Sequence, residues 1–123
     1  MSYVKFKTPD NVQEEIKKLL DEIAKTRDSK IRKGMNETTK SIERGVAKLV
    51  VMAEDVSPPE LLFHLPILCQ EKGVPYAYVD KQENLGNAVR INVSASAIAV
   101  EDAGSTDNER NLNSLVKKIE NLK

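Results

Sequence analysis

The sequence predicts an α/β fold, a three-layer α/β/α sandwich with a small central mixed sheet, as a single domain over residues 1–123. Three observations carry that reading. Residues 47–53, AKLVVMA, are an apolar, β-branched run ending at Glu54-Asp55, the pattern of a strand covered on both faces and hence central. Helical stripes stand near both ends of the chain: Val12, Ile16, Leu19, Leu20 and Ile23 in one, Leu112, Leu115, Val116, Ile119 and Leu122 in the other. Between them apolar strands alternate with amphipathic helices, which calls for helices on both faces of a sheet but leaves the strand order open.

Taken in order, Asp10 and Gln13 form a capping pair that opens a first helix running to about Thr26, its outer face Lys and Glu. A short basic extended piece from Lys30 to Lys33 leads through Gly34 to Asn36, a favourable N-cap for a brief polar helix that Gly45 can end. After the central strand, Ser57-Pro58-Pro59-Glu60 combines a capping box with proline in the first turn of a helix holding Leu61, Leu62 and Leu65, which Pro66 should kink or restart. Gly73 closes that helical region. Residues 76–79 read as a strand, Asp80 with Glu83 caps a short helix to about Ala88, and a loop follows from Val89 to Ser94. Residues 95–100 form a further strand, and Asp107 caps the last helix.

Composition narrows the class. A chain of 123 residues, 40% apolar and 31% charged, is that of one ordinary globular domain, able to bury roughly two-thirds of its unfolded surface. Cys69 is the only cysteine, so no internal disulfide forms, and its apolar setting, Leu65-Pro66-Ile67-Leu68-Cys69, suits packing better than reactivity. No apolar run approaches the roughly 20 residues of a membrane span, and residues 1–7 lack the apolar core of a secretory signal. The expectation is a soluble, cytoplasmic protein in a reducing compartment, with no membrane partner.

Nineteen basic and nineteen acidic side chains cancel, which argues against bulk binding to any polyanion. Their distribution is uneven. From Lys30 to Lys48 stand six basic residues (Lys30, Arg32, Lys33, Lys40, Arg44, Lys48) against Glu37 and Glu43, while the rest of the chain carries thirteen basic against seventeen acidic. A compact basic patch on an acidic body favours one localised anionic partner.

That patch contains the most informative segment, Lys33-Gly34-Met35-Asn36-Glu37-Thr38-Thr39-Lys40. The glycine allows close approach of another backbone, and a helix amino end offers free N–H donors to anions. Asn36 and Lys40, four apart, share a helical face. Asn and Lys can read acceptors on purines and the Glu37 carboxylate can accept base N–H groups, a set suited to base edges more than to phosphate alone. The plain alternative is that Asn36 only caps and the charges are only solvated.

Residues 34–50, GMNETTKSIERGVAKLV, resemble the signature of the archaeal ribosomal protein L-seven-Ae family. So do Ala53-Glu54-Asp55, His64-Leu65-Pro66, Leu68-Cys69 and Pro75-Tyr76-Ala77-Tyr78-Val79, and the similarity extends over nearly the whole chain without a large insertion. The resemblance implies a kink-turn RNA-binding protein. In such RNA, tandem sheared G·A pairs bend the helix sharply, and the family's NExxK helix enters the opened major groove. A regular A-form major groove is too narrow for side chains, so a reader of this kind needs a distorted site.

By this match Asn36, Glu37 and Lys40 would contact the sheared guanines, while Lys33, Gly34 and Arg44 would hold the nearby backbone. The family also cradles an extruded nucleotide with the loop that here reads Val89-Arg90-Ile91-Asn92-Val93-Ser94, together with the helix bearing Leu61; Ile91 and Val93 suit a base face, Asn92 and Ser94 flank them, and ordinary loop packing is the alternative. Three positions depart from the usual archaeal pattern: Arg90 stands for a common glycine, Asn92 for a common glutamate, and Gln82 for a usual lysine. They bear on the loop and on target preference and leave the guanine-reading helix intact.

Partners implied by the resemblance are kink-turn RNAs (ribosomal RNA, box C/D and H/ACA guide RNAs, and the ribonuclease P RNA of tRNA processing) and other subunit proteins of those particles, the protein being a monomer when free. No cofactor, metal or catalysis is expected. The competing readings are a protein-interaction scaffold and a metal-dependent α/β enzyme using Glu54 and Asp55, since ligands gather beyond the carboxyl ends of strands. His64, the only histidine, has no Ser or Cys partner motif and reads as a helix-packing residue.

Overall fold

The computed structural model describes residues 2–123; Met1, the first residue of the expected domain and of the amino-terminal stretch compared with a secretory signal, lies outside them. Helices and strands follow one another as α1 (Asp10–Ala24), β1 (Lys30–Lys33), α2 (Met35–Glu43), β2 (Leu49–Ala53), a 3-10 turn (Pro59–Leu62), α3 (His64–Lys72), β3 (Tyr76–Val79), α4 (Gln82–Ala88), β4 (Ala97–Asp102) and α5 (Thr106–Glu120). The four strands form one mixed sheet in the order β1-β4-β2-β3, with β1 and β2 antiparallel to β4 and β2 parallel to β3. β2, read from its composition as central, has neighbours on both sides and every residue buried. One helical layer groups α1 with α4 and α5, with α1 and α4 reaching β3 and β2. The other sets α2 on β4 and β1 with α3 beside it.

The apolar stripes do what their spacing demands: Ile16, Leu20 and Ile23 of α1 and Leu112 and Ile119 of α5 are inaccessible to solvent or nearly so. Cys69 is buried in the same core, and burial pushes its thiol up to about 12, which removes it from thiolate chemistry. One core group was not legible as such. Tyr3, outside any helix or strand, is 2% exposed and donates its hydroxyl hydrogen to the Ala53 carbonyl, while the Tyr78 hydroxyl donates to the Tyr3 carbonyl at 2.6 Å. The amino-terminal segment is thereby tied to β3, an edge strand.

Several expected caps are corrected. α1 begins after Pro9 with Asp10 already helical, and Gln13 bonds the Thr8 carbonyl instead of closing a pair with Asp10. α5 is capped by Ser105, whose hydroxyl accepts from the Asn108 N–H, two residues ahead of Asp107. Around Ser57 no capping box closes; paired prolines give a 3-10 turn and α3 starts at His64, before Pro66, which occupies the first turn where its missing N–H costs nothing. At α4, Asp80 accepts from the Lys81 N–H and from Asn84, but the first helical N–H, that of Gln82, goes to Asp55. β2 starts at Leu49 and not Ala47, and β4 spans Ala97–Asp102 in place of residues 95–100.

Candidate nucleic-acid interface

The cap of α2 lies two residues earlier than the expected Asn36, because Gly34 takes that position, at φ +100°, which L side chains rarely adopt. Its carbonyl accepts the Thr38 N–H at 2.9 Å to start the helix, and its N–H donates to the Ala97 carbonyl of β4 at 2.8 Å, fixing the helix origin to the sheet. A Cβ at Gly34 would meet nothing within 4 Å, so the glycine serves the torsion and leaves open space in front of the helix.

With Asn36 released from capping, its side chain carries no bond to α2 and lies exposed at the second helical position. Glu37 and Lys40 are roughly half exposed, 47% and 56% by side chain, their charges 3.7 Å apart. Thr38, Ser41 and Ile42 turn inward and are fully buried. The helix is therefore split. An amide, a carboxylate and an ammonium stand on the outward side with exposed Arg44 at its end and exposed Lys33 just before it. The Glu37–Lys40 pair is solvated and loosely held, worth about 0.3 kcal/mol, so a ligand that engages both groups gives up little by parting them.

Behind this face lies a polar layer that the sequence did not reveal. Glu101 of β4 accepts from Arg32 Nε of β1 at 3.2 Å, its side chain only 8% exposed. Burial pushes its carboxyl up, but the dipole of the nearby Ser41 hydroxyl, which stops short of a hydrogen bond, and the charges of Arg32 and Lys30 outweigh burial and hold it below the usual carboxylate range. Thr38 Oγ1, Ser41 Oγ and Glu101 Oε2 are buried without closing a hydrogen bond. On the α3 side, Thr39 donates its hydroxyl hydrogen to the Met35 carbonyl at 2.9 Å, so the His64 Nε2–H must be the donor in the 2.9 Å contact with Thr39 Oγ1. His64 thus links α3 to α2.

The second group of predicted residues is held differently. Leu61, in the 3-10 turn, is 46% exposed, and Val93 is 68% exposed; Asn92 and Ser94 are exposed as well, while Ile91 is partly buried against the core. Of the two apolar loop residues, Val93 is the one presented to solvent. The loop lies directly on α4: a Cβ on Gly86 would fall 2.1 Å from the Val93 carbonyl oxygen, and the Ile91 N–H donates to the Gly86 carbonyl at 3.1 Å. Mid-helix Gly86, in QENLGNA, was the available signal for that close approach. Arg90 sits at φ +62°, which accounts for glycine being usual there, and its guanidinium pairs with Asp21 of α1 at 2.9 Å. Gln82 joins the two segments: its N–H donates to Asp55 and its carbonyl accepts from the Ala95 N–H.

That arrangement gives Asp55 a structural task as the helix cap of α4. Glu54 is raised by burial and by the nearby carboxylates of Asp80 and Asp10. Among the described residues no cluster of three or more His, Cys, Asp or Glu side chains is disposed to hold a metal, and no helix is long and apolar enough to cross a membrane.

The comparisons with known proteins agree with this geometry. Residues 14–109 match the model of the ribosomal protein L7Ae/L30e/S12e/Gadd45 family. Over 122 residues the chain is 48% identical to the large ribosomal subunit protein eL8 of Thermoplasma volcanium, covering 99% of this chain and 97% of the relative. The solved structure of the Giardia lamblia 15.5kD RNA binding protein superposes with a TM-score of 0.87 at 29% identity, over 98% of this chain and 96% of that one. With one α/β/α architecture, one ordered signature and full-length agreement, the chain belongs to the ribosomal protein L7Ae/L30e/S12e/Gadd45 family.

Proposed function

We propose that this protein is a non-catalytic, RNA-binding component of the large ribosomal subunit that recognises kink-turns and stabilises their bent form. The observation that carries the reading is the outward face of α2, where Asn36, Glu37 and Lys40 stand together at the helix amino end. Membership in a ribosomal protein family, an eL8 relative at 48% identity and an RNA-binding structural neighbour support it. Asn36 and Lys40 would bind the acceptor edges of sheared guanines and Glu37 their N–H groups. Lys33, Gly34 and Arg44 would hold the backbone, and Leu61, Ile91, Asn92, Val93 and Ser94 would receive an extruded nucleotide.

The mechanism is a population shift. Because the base edges become accessible only when the major groove opens, the protein binds bent RNA better than extended RNA and so favours bending. The same recognition would serve ribosomal RNA, box C/D and H/ACA guide RNAs and ribonuclease P RNA, each in the cytoplasm alongside other particle proteins. A gel-shift titration of one kink-turn RNA against a straight duplex of equal length tests the proposal: a marked preference for the kink-turn is expected, and equal affinities would sink it. Affinity should also fall with salt less steeply than for a polybasic protein, since few phosphates are neutralised.

A further inference from the structure

We propose that Tyr3, far from the interface in sequence, is a positioning residue for the extruded-nucleotide cradle and holds its two walls in register. The inference rests on the RNA-binding reading above and deepens it at the cradle. The buried Tyr3 hydroxyl bridges the chain where it leaves the sheet: it donates to the Ala53 carbonyl at the end of β2 and accepts the Val56 N–H at 3.2 Å. One phenol thus clamps residues 53–56, and both walls hang on that stretch. Toward the loop, the Asp55 carboxylate accepts the Gln82 N–H at 2.9 Å, and the Gln82 carbonyl accepts the Ala95 N–H at 3.1 Å, just past Ser94. Ala53 itself donates to the Ser96 carbonyl at 2.9 Å. Toward the other wall, the chain runs from buried Val56 into the 3-10 turn that carries Leu61.

The phenol is held in place from behind. The Tyr78 hydroxyl donates to the Tyr3 carbonyl at 2.6 Å and accepts the Lys5 N–H at 3.1 Å, while Thr8 Oγ1 accepts the Tyr78 N–H at 3.3 Å. Phe6 packs edge-on against the Tyr78 ring, centroids 5.3 Å apart. Those contacts secure the amino-terminal segment to β3; the Tyr3 hydroxyl alone carries that anchorage across to residues 53 and 56. α2 is seated elsewhere, on β4 and β1 through Gly34 and its buried side. Loss of the hydroxyl should therefore loosen the cradle and spare the guanine-reading face.

The test titrates wild type, Tyr3→Phe and Asp55→Ala with a kink-turn RNA and with the same RNA made abasic at the extruded nucleotide, well below each thermal midpoint. Tyr3→Phe keeps the ring and removes only the bridge. It should weaken binding of the intact RNA roughly fivefold and change binding of the abasic RNA less than about twofold, since no base then enters the cradle. Hydrogen exchange of the Gln82 and Ala95 amides should accelerate in this variant, while the Gly34 amide, bonded to β4, keeps its protection. Asp55→Ala leaves the core and the phenol intact, breaks the next link, and should show the same selective loss; it carries the test should the Tyr3→Phe chain not fold. Equal losses on the two RNAs in either variant, or no loss on the intact RNA, would overturn the inference. A wild type that binds the intact and abasic RNAs alike would instead sink the cradle reading itself, and with it any role for Tyr3 there.

Discussion

The head of α2 and the loop of residues 89–94 are two parts of one proposed interface, yet they are built in opposite ways. The α2 groups are placed by helical geometry over a few consecutive residues, starting from a glycine whose torsion and sheet contact fix the helix origin. The loop is placed by contacts distant in sequence: Gly86 beneath Val93, and Arg90 held in a left-handed conformation against Asp21, 69 positions away. A regular element tolerates exchange at its surface because its backbone does not depend on those side chains. The loop has no such independence, and the departure at Arg90 alters how its backbone is held.

The largest expected effect breaks the loop at its support. Gly86→Ala would place a methyl against a backbone oxygen 2.1 Å away, so α4 and the loop must separate, costing about 3 kcal/mol of stability. Chemical denaturation reads the loss, and a stability equal to wild type would show that the loop does not rest on α4. On the other side of the comparison, Lys40→Ala should weaken kink-turn binding by about 2 kcal/mol with little change in stability, whereas Lys18→Ala, exposed on α1, should change binding by less than about 0.5 kcal/mol. Equal losses in the two variants would contradict the assigned face.

Arg90→Gly sharpens the contrast with a smaller effect. It relieves left-handed strain of about 1 kcal/mol, while glycine's greater unfolded-state freedom and the lost exposed ion pair oppose that gain by about the same amount. Stability should therefore change by less than about 1 kcal/mol, but hydrogen exchange of the Ile91 amide, bonded to Gly86, should accelerate as the loop loses its hold on α1. Protection equal to wild type would mean that the Asp21 pair does not restrain the loop.

The smallest expected effect lies at Glu54, where burial and two neighbouring carboxylates raise the folded-state value above the unfolded one. Stability tied to that group is present at low pH and is lost as pH rises through the folded value. Glu54→Gln should accordingly raise the thermal midpoint slightly at neutral pH and leave it unchanged near about pH 3, where the carboxyl is protonated in both states. A gain of equal size at both pH values would point to packing instead.

Much of the fold was legible because its signals are local. The β-branched run at β2 and the stripes of α1 and α5 encode period and burial directly, and the parts that shifted were caps and strand ends, where side chains compete for the same N–H groups. Asn36 read as a cap because its type suits one, but Gly34 already supplied the required backbone, which freed the amide for the outward face. Asp55 read as a candidate ligand in the enzyme alternative because it follows a buried strand; only the approach of α4 gave it a helix to cap.

What the sequence by itself determined was the layered α/β architecture, the identity of the central strand, and the grouping of Asn36, Glu37 and Lys40 on one helical side, since periodicity and i,i+4 spacing need no tertiary information. Tertiary structure alone decided the strand order, the pairing of Glu101 with Arg32, the loop's seat on Gly86 and the Arg90–Asp21 pair. Those features join residues far apart in the chain, and which of many polar groups meet is fixed only once packing has brought the elements together.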